Sequence, residues 1–152
     1  RRTRHAGAPG RRGGCRRQVK VVPSSTSSLR VRYAETDQMG VAWHGGSFAW
    51  FEVGRTALLR EQGLTYRELE TRNLRLPVVE VQARYLRPAL YDDLLEVRTT
   101  VRAVSGARVS FDYAVHREGD DQPLATGMTA HAAVDGAGKA RRLPPELRTL
   151  LG

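Results

Sequence analysis

Asp37, His44 and Glu52 are the residues whose types and spacing could do chemistry in this chain. Asp37 lies in the turn-forming stretch Thr36-Asp37-Gln38-Met39-Gly40, His44 leads into Gly45 and Gly46, and Glu52 falls on the segment that follows. A carboxylate in such a loop can act as a nucleophile or take a proton from water, and an imidazole can orient either it or a substrate. Backbone amides at a helix start lack intrahelical acceptors and carry the positive end of the dipole, so they can receive a developing oxyanion. Each residue also has a plainer role. Asp37 could close an Asx-turn on its own loop, His44 could cap that loop, and Glu52 could pair with Arg55.

The elements that must position these residues follow from periodicity. Leu29, Val31 and Tyr33 alternate with Arg30 and Arg32 as in a half-buried first strand. After the Thr36–Gly46 loop, Ser47 to about Gln62 reads as a helix that is apolar over most of its circumference and so buried on most sides. Only Glu52, Arg55, Thr56 and Arg60 form a polar stripe on it. Gly54 in its middle costs about 1 kcal/mol relative to Ala, which a closely packed neighbouring backbone would explain. Thr65 with Glu68 forms a capping box for a second, short helix ending near Asn73, with Leu64 set to staple against Leu69. Four period-two runs come next: Val79–Tyr85, Leu95–Val101, Val109–Val115 and Leu124–Val134. The separators Pro88–Asp93, Ser105–Gly106 and Glu118–Pro123 carry hairpin chemistry. Together these predict an α+β fold in which an antiparallel meander curves around one long central helix. Pro144 and Pro145 open a last short segment, Glu146–Leu151, and no internal repeat is present.

Composition sets the remaining bounds. At 152 residues the chain suits one domain able to bury roughly two-thirds of its unfolded surface. Arg1, Arg2, Arg4, Arg11, Arg12, Arg16, Arg17 and Lys20 precede the first acidic residue, Glu35; without them 17 basic residues face 16 acidic ones and the formal net charge drops from +9 to +1. The basic excess therefore belongs to residues 1–28, a Gly- and Ser-containing stretch expected to be disordered, with residues 29–152 as the folded domain. A nucleic-acid partner is not expected, since the basic excess does not sit on a folded face. No segment approaches the about 20 apolar residues of a membrane span, and a start extended beyond the natural one explains the tail better than an organellar transit peptide. Cys15 is the only cysteine and lies in the tail, which leaves no disulfide, zinc finger or cysteine nucleophile for the domain and suits a reducing, cytoplasmic setting.

The set Tyr33, Thr36, Asp37, Gly40, Val41, His44, Trp50, Phe51, Glu52 and Arg55 closely resembles the signature of hot-dog thioesterases of the 4-hydroxybenzoyl-CoA thioesterase branch, including the bacterial acyl-CoA thioesterases associated with the Tol-Pal system. The resemblance runs from Leu29 to about Val134, through Tyr85, Leu86, Pro88 and Ala89 and later Arg108, Ser110, Phe111 and Tyr113. It implies a hot-dog fold and hydrolysis of an acyl thioester without metal or cofactor. Asp37 would be nucleophile or general base, His44 its helper and Glu52 a weaker participant. With no candidate cysteine and no Gly-x-Ser-x-Gly elbow, a carboxylate suits the first role. The amides around His44, Gly45 and Gly46 would supply the oxyanion donors. Ser47 departs from the aromatic that many members carry there, and a smaller residue beside two glycines would widen the acyl site. Coenzyme A brings phosphates, for which Arg84 and Arg108, with Arg87 and Arg102, are candidates by position; the plain alternative is a solvated strand face. Partners implied are acyl-CoA or an acyl carrier protein thioester, and a second copy in a homodimer or homotetramer. A non-catalytic hot-dog binding module and a hot-dog dehydratase are the competing readings.

Overall fold

The computed structural model describes residues 21–152. The chain runs β1 (Ser24–Arg30), a 3-10 turn (Tyr33–Glu35), α1 (Gly46–Glu61), α2 (Tyr66–Thr71), β2 (Val78–Tyr85), β3 (Leu94–Val104), β4 (Arg108–Arg117), β5 (Pro123–Ala132) and α3 (Pro145–Leu151). The five strands form one antiparallel sheet in the order β1-β3-β4-β5-β2, with α1 laid on its inner face. This is the expected α+β architecture of a sheet wrapped around a long helix. Among the described residues no helix is long and apolar enough to cross a membrane.

Three expectations need correcting. The first strand begins and ends earlier than alternation indicates: Ser24–Ser28 already pair with β3, and Tyr33 sits in the 3-10 turn, exposed and edge-on to Tyr91. Composition suggested a disordered tail to Ser28, but ladder bonds to β3 and the Ser25 hydroxyl donating to Glu61 at 2.8 Å order these polar residues. The rest of that predicted tail, residues 1–20, lies outside the described residues.

The segment Pro88–Asp93 is also not a hairpin. β3, β4 and β5 form the meander, whereas β2 pairs with β5 at the opposite edge from β1. The chain from Leu86 to Asp93 therefore crosses the end of the sheet, and its Pro and Asp residues serve a corner rather than a tight turn. It is pinned along its length, with Leu86 N–H donating to Leu124, Ala42 N–H to Ala89, and Asp92 N–H to Val31.

The third correction concerns α1. Trp50, Phe51, Gly54, Arg55, Leu58 and Leu59 are buried, yet Phe48, Ala49, Glu52 and Val53 are exposed, so the described chain covers only one face of this apolar helix. Two glycines permit the contact it does make. A Cβ on Gly54 would overlap Thr99 Oγ1 and stand 2.9 Å from Val97 Cγ1, so the close neighbours are side chains of β3 rather than a backbone. A Cβ on Gly127 of β5 would overlap the Phe51 ring and stand 2.5 Å from the Gln82 carbonyl oxygen. Phe51 fills that space and stacks on Tyr113, with ring centroids 4.4 Å apart and planes 11° apart.

The short helix α2 forms as its capping box predicts. Thr65 Oγ1 accepts from Glu68 N–H at 3.2 Å, Glu68 Oε2 accepts from Thr65 N–H at 2.7 Å, and Leu64 and Leu69 are both buried beside it. Asn73 then leaves the helix in the left-handed region at φ 55°. Leu147 and Leu151 of α3 complete the core.

Gly54→Ala gains helix propensity worth about 1 kcal/mol but forces a methyl into a buried β-branched side chain, a strain of about 1–3 kcal/mol. The expected outcome in urea titration is a lower unfolding midpoint for the variant; an equal or higher midpoint would mean that α1 can lift from the sheet at no cost.

Candidate active site

The Asp37 loop is a small closed structure. Thr36 bridges to Ala42, Asp37 N–H donates to Val41 O at 2.9 Å, and Gly40 N–H donates to Asp37 O at 3.0 Å. Gly40 takes φ +79°, the left-handed conformation that glycine adopts at little cost. Asp37 Oδ1 accepts from Met39 N–H at 2.9 Å, which is the Asx-turn the sequence allowed. The turn uses only one carboxylate oxygen. Oδ2 has no hydrogen-bond partner among the described residues, and Asp37 lines a cavity.

That cavity has a volume of about 360 Å³ and lies between the Asp37 loop, the start of α1, the end of β2 and the crossover. Its wall is mostly apolar, with Val41, Trp43, Trp50, Leu86, Ala89 and Leu124, while Asp37, His44, Ser47, Tyr85 and Arg87 supply polar groups. The loop is fixed over it by Ala42 N–H donating to Ala89 O and Trp43 N–H to Glu35 O, both at 2.7 Å.

Glu35, which sequence reasoning missed, joins this loop to the helix. Its Oε1 accepts from Trp50 Nε1 at 3.1 Å and from Arg32 Nη2 at 3.3 Å, and its Oε2 accepts from Arg32 N–H at 2.8 Å. Burial raises the Glu35 pKa, but hydrogen bonds from the Arg32 backbone and side chain and from the Trp50 indole outweigh it, so the carboxyl is held below its usual value. The available signal was Trp50 itself, since a buried indole N–H needs an acceptor.

The helix start carries donors that α1 does not use. Gly46 N–H donates to Trp43 O at 2.8 Å and Phe48 N–H to Gly45 O at 3.2 Å, while the amides of His44, Gly45 and Ser47 have no acceptor among the described residues. The N-cap Gly45 offers no side-chain cap, as its type dictates.

The structure brings only part of the predicted site together. Asp37, His44 and Ser47 line the cavity. The His44 ring leans on Trp43, 4.9 Å between centroids, and makes no hydrogen bond to Asp37. Gly45 does not line the cavity, being covered by the Trp43 ring, which a Cβ at Gly45 would overlap. Glu52 points away on the exposed face of α1, its Oε2 3.8 Å from Arg55 Nη2, so the plain ion-pair reading describes it. Arg84 lies outside the cavity, in a shallow polar depression with Gln82, Arg102 and Asp112; strand alternation sets it opposite to Tyr85. Arg102 there is paired with Asp112 at 3.1 Å, and Arg108 is exposed at the start of β4. Arg87 is the arginine at the cavity, with Nη1 2.9 Å from Asp120 Oδ2 and Nη2 donating to Gln122 O.

Ser47 stands in the cavity wall as a small residue. It is buried, its hydroxyl donates to His44 O at 2.9 Å, and the Tyr85 hydroxyl stands 3.1 Å away.

Comparison with known proteins gives the family and the fold. Residues 31–151 match the family model described as the Thioesterase-like superfamily. A Bacillus subtilis protein provisionally named an acyl-CoA thioesterase, YneP, is 32% identical over 111 residues, 73% of this chain and 80% of that protein. The solved structure of a hypothetical protein from Thermus thermophilus is 38% identical with a TM-score of 0.79, covering 84% of this chain and 96% of the other. The DHNA-CoA thioesterase of Staphylococcus aureus is 29% identical with a TM-score of 0.79, covering 84% and 87% of the two chains. With the family model spanning α1, β2 to β5 and the Asp37 cavity alike, the chain belongs to the Thioesterase-like superfamily and has its hot-dog fold.

Proposed function

We propose that this chain hydrolyses acyl-CoA thioesters in the cavity beside Asp37. The observation that carries the reading is the Asp37 carboxylate, which lines a mostly apolar cavity with its Oδ2 unpartnered among the described residues, together with His44 and Ser47, whose amides are likewise unpartnered. The names of the relatives, acyl-CoA thioesterases and a DHNA-CoA thioesterase, point to the same reaction class.

The chemistry needs three things that these residues offer. An apolar wall takes an apolar acyl group out of water. The unbonded amides of His44 and Ser47, two residues of the cavity wall, stabilise the negative charge that develops on the carbonyl oxygen as it becomes tetrahedral. Asp37 either attacks the carbonyl carbon, expelling the CoA thiolate and leaving a mixed anhydride for water to cleave, or takes a proton from the attacking water. Both routes give the free acid and the thiol. Arg87 at the cavity is placed to meet a polar part of the substrate, although its pairing with Asp120 offsets its charge. An acyl carrier protein thioester would present the same bond to the same groups.

The second copy enters through β2. This strand is an edge of the sheet, and Val78, Val79, Val81 and Tyr85 on it are all exposed. An eight-residue edge with apolar side chains is a template for pairing unless another chain covers it. Two copies meeting there antiparallel would extend each sheet into the other, and Phe48 and Val53 supply further uncovered apolar surface on α1.

Two measurements test these proposals. Thiol release from a panel of acyl-CoAs should be catalysed by the wild type and reduced on the order of a thousandfold or more in Asp37→Asn. A variant as active as wild type would remove Asp37 from the mechanism. Light scattering in solution should give twice the 16.9 kDa of the chain, or four times if dimers pair; a monomer mass would overturn the β2 interface.

A further inference from the structure

The residues around the cavity sort by exposure into a mouth and a floor. Met39, Trp43 and Leu86 are exposed at the mouth, Met39 to 80%, whereas Ser47, Trp50, Ala89, Leu124 and Ala125 are buried. The floor is otherwise built of a serine, two alanines and a leucine, so the indole of Trp50, 4% exposed, is its largest side chain.

The packing of α1 places that indole at an end of the cavity. Ser47 and Trp50 are three residues apart and so share one face of the helix, and they are the two α1 residues in the cavity wall. Past them the helix meets the sheet without a gap. A Cβ on Gly54 would overlap Thr99 Oγ1, and Phe51 fills the space that Gly127 leaves. A cavity that begins at the first turn of α1 therefore stops at Trp50.

The indole is held from outside the cavity. Its Nε1 donates to Glu35 Oε1 at 3.1 Å, and Glu35 is not a wall residue. Glu35 is fixed in turn by the Arg32 N–H at 2.8 Å and by Arg32 Nη2 at 3.3 Å. A Cβ on Gly46 would stand 3.9 Å from both Trp50 Cζ2 and Glu35 Cβ, so both side chains pack close to the first turn. The indole has one polar atom, a donor, and Glu35 takes it; what Trp50 offers the cavity is hydrocarbon.

We propose that Trp50 determines the longest acyl group the cavity takes, with Glu35 as the positioning residue that keeps the indole in place. The proposal rests on the thioester hydrolase reading above, with the carbonyl at the first turn of α1 and an apolar acyl end directed toward Trp50. Each methylene moved out of water on the way in favours the bound chain about fourfold. A chain longer than the cavity gains nothing more, because its end must stay in water or push the indole off Glu35.

The test is kcat/KM for saturated straight-chain acyl-CoAs of increasing length, with Trp50→Leu and Trp50→Phe beside the wild type. Wild-type kcat/KM should climb about fourfold per methylene and then level off. Trp50→Leu should move the limit outward, so that a chain two carbons beyond the wild-type limit gains about tenfold or more relative to the chain at that limit. Trp50→Phe, the smaller excision, should shift it less and serves if Trp50→Leu does not fold. Glu35→Ala should blunt the limit, and Glu35→Gln, which keeps an acceptor for the indole, should restore it. A limit unmoved in Trp50→Leu and Trp50→Phe overturns the proposal, and a wild-type limit in Glu35→Ala removes Glu35 from it. Calorimetric affinities of Asp37→Asn, with and without Trp50→Leu, for the same acyl-CoAs read the limit without turnover. A wild type inactive on every thioester would sink the hydrolase reading, whereas an active wild type whose limit ignores residue 50 sinks only the length rule.

Discussion

The close approach of α1 to the inner face of the sheet is the constraint on which the site depends. Gly54 lets the helix settle against Thr99 and Val97, and Gly127 opens the space that Phe51 occupies between α1 and the sheet. With Phe51 stacked on Tyr113, the helix is held in depth along its middle. Its first turn then has a defined place beside the crossover from β2 to β3. Burial of Trp50, Phe51, Leu58 and Leu59 supplies the driving force, at about 1.5–3 kcal/mol for each large aliphatic or aromatic side chain. Polar contacts add direction, because a hydrogen bond contributes only about 1 kcal/mol net but costs more when a buried partner is left unmet.

Those polar contacts converge on a short stretch. Glu35 ties the 3-10 turn to Trp50, Ala42 ties the loop to the crossover, and Tyr85 ties the end of β2 to the helix start. Asp37 is thereby presented by a loop with its own internal bonds instead of by a flexible tip. Its Asx-turn and its proposed catalytic role do not compete: one oxygen holds the loop closed while the other has no hydrogen-bond partner among the described residues, and the residue lines the cavity. The turn even assists, since a carboxylate with one oxygen committed has fewer rotamers to lose when it reacts.

Much of this was legible in the sequence, and the remainder failed for identifiable reasons. Period-two runs found β2 to β5, and the Thr65–Glu68 box found the start of α2, because both signals are local. Asp37, His44 and Ser47 were recognisable from their spacing, and they do line one cavity. Strand order was not local: Pro88 and Asp93 have the composition of a hairpin, but β2 pairs with β5 at the far edge. The serines of β1 carry no hydrophobic alternation, and their order comes from β3 and Glu61. Arg84 and Arg108 could not be assigned a side of the sheet without its register, and both lie outside the cavity. Glu35 and Tyr85 matter through partners 15 and 41 residues away, a separation no motif of spacing reveals.

On this mechanism the cavity beside Asp37 receives the thioester carbonyl. The most direct measurement is a crystal structure of Asp37→Asn bound to an intact acyl-CoA. The thioester carbon is expected within about 3.5 Å of the residue 37 side chain, with its oxygen toward the amides at the start of α1. An acyl group seated elsewhere, for example in the cleft between Tyr66, Leu74 and Val134, would contradict it.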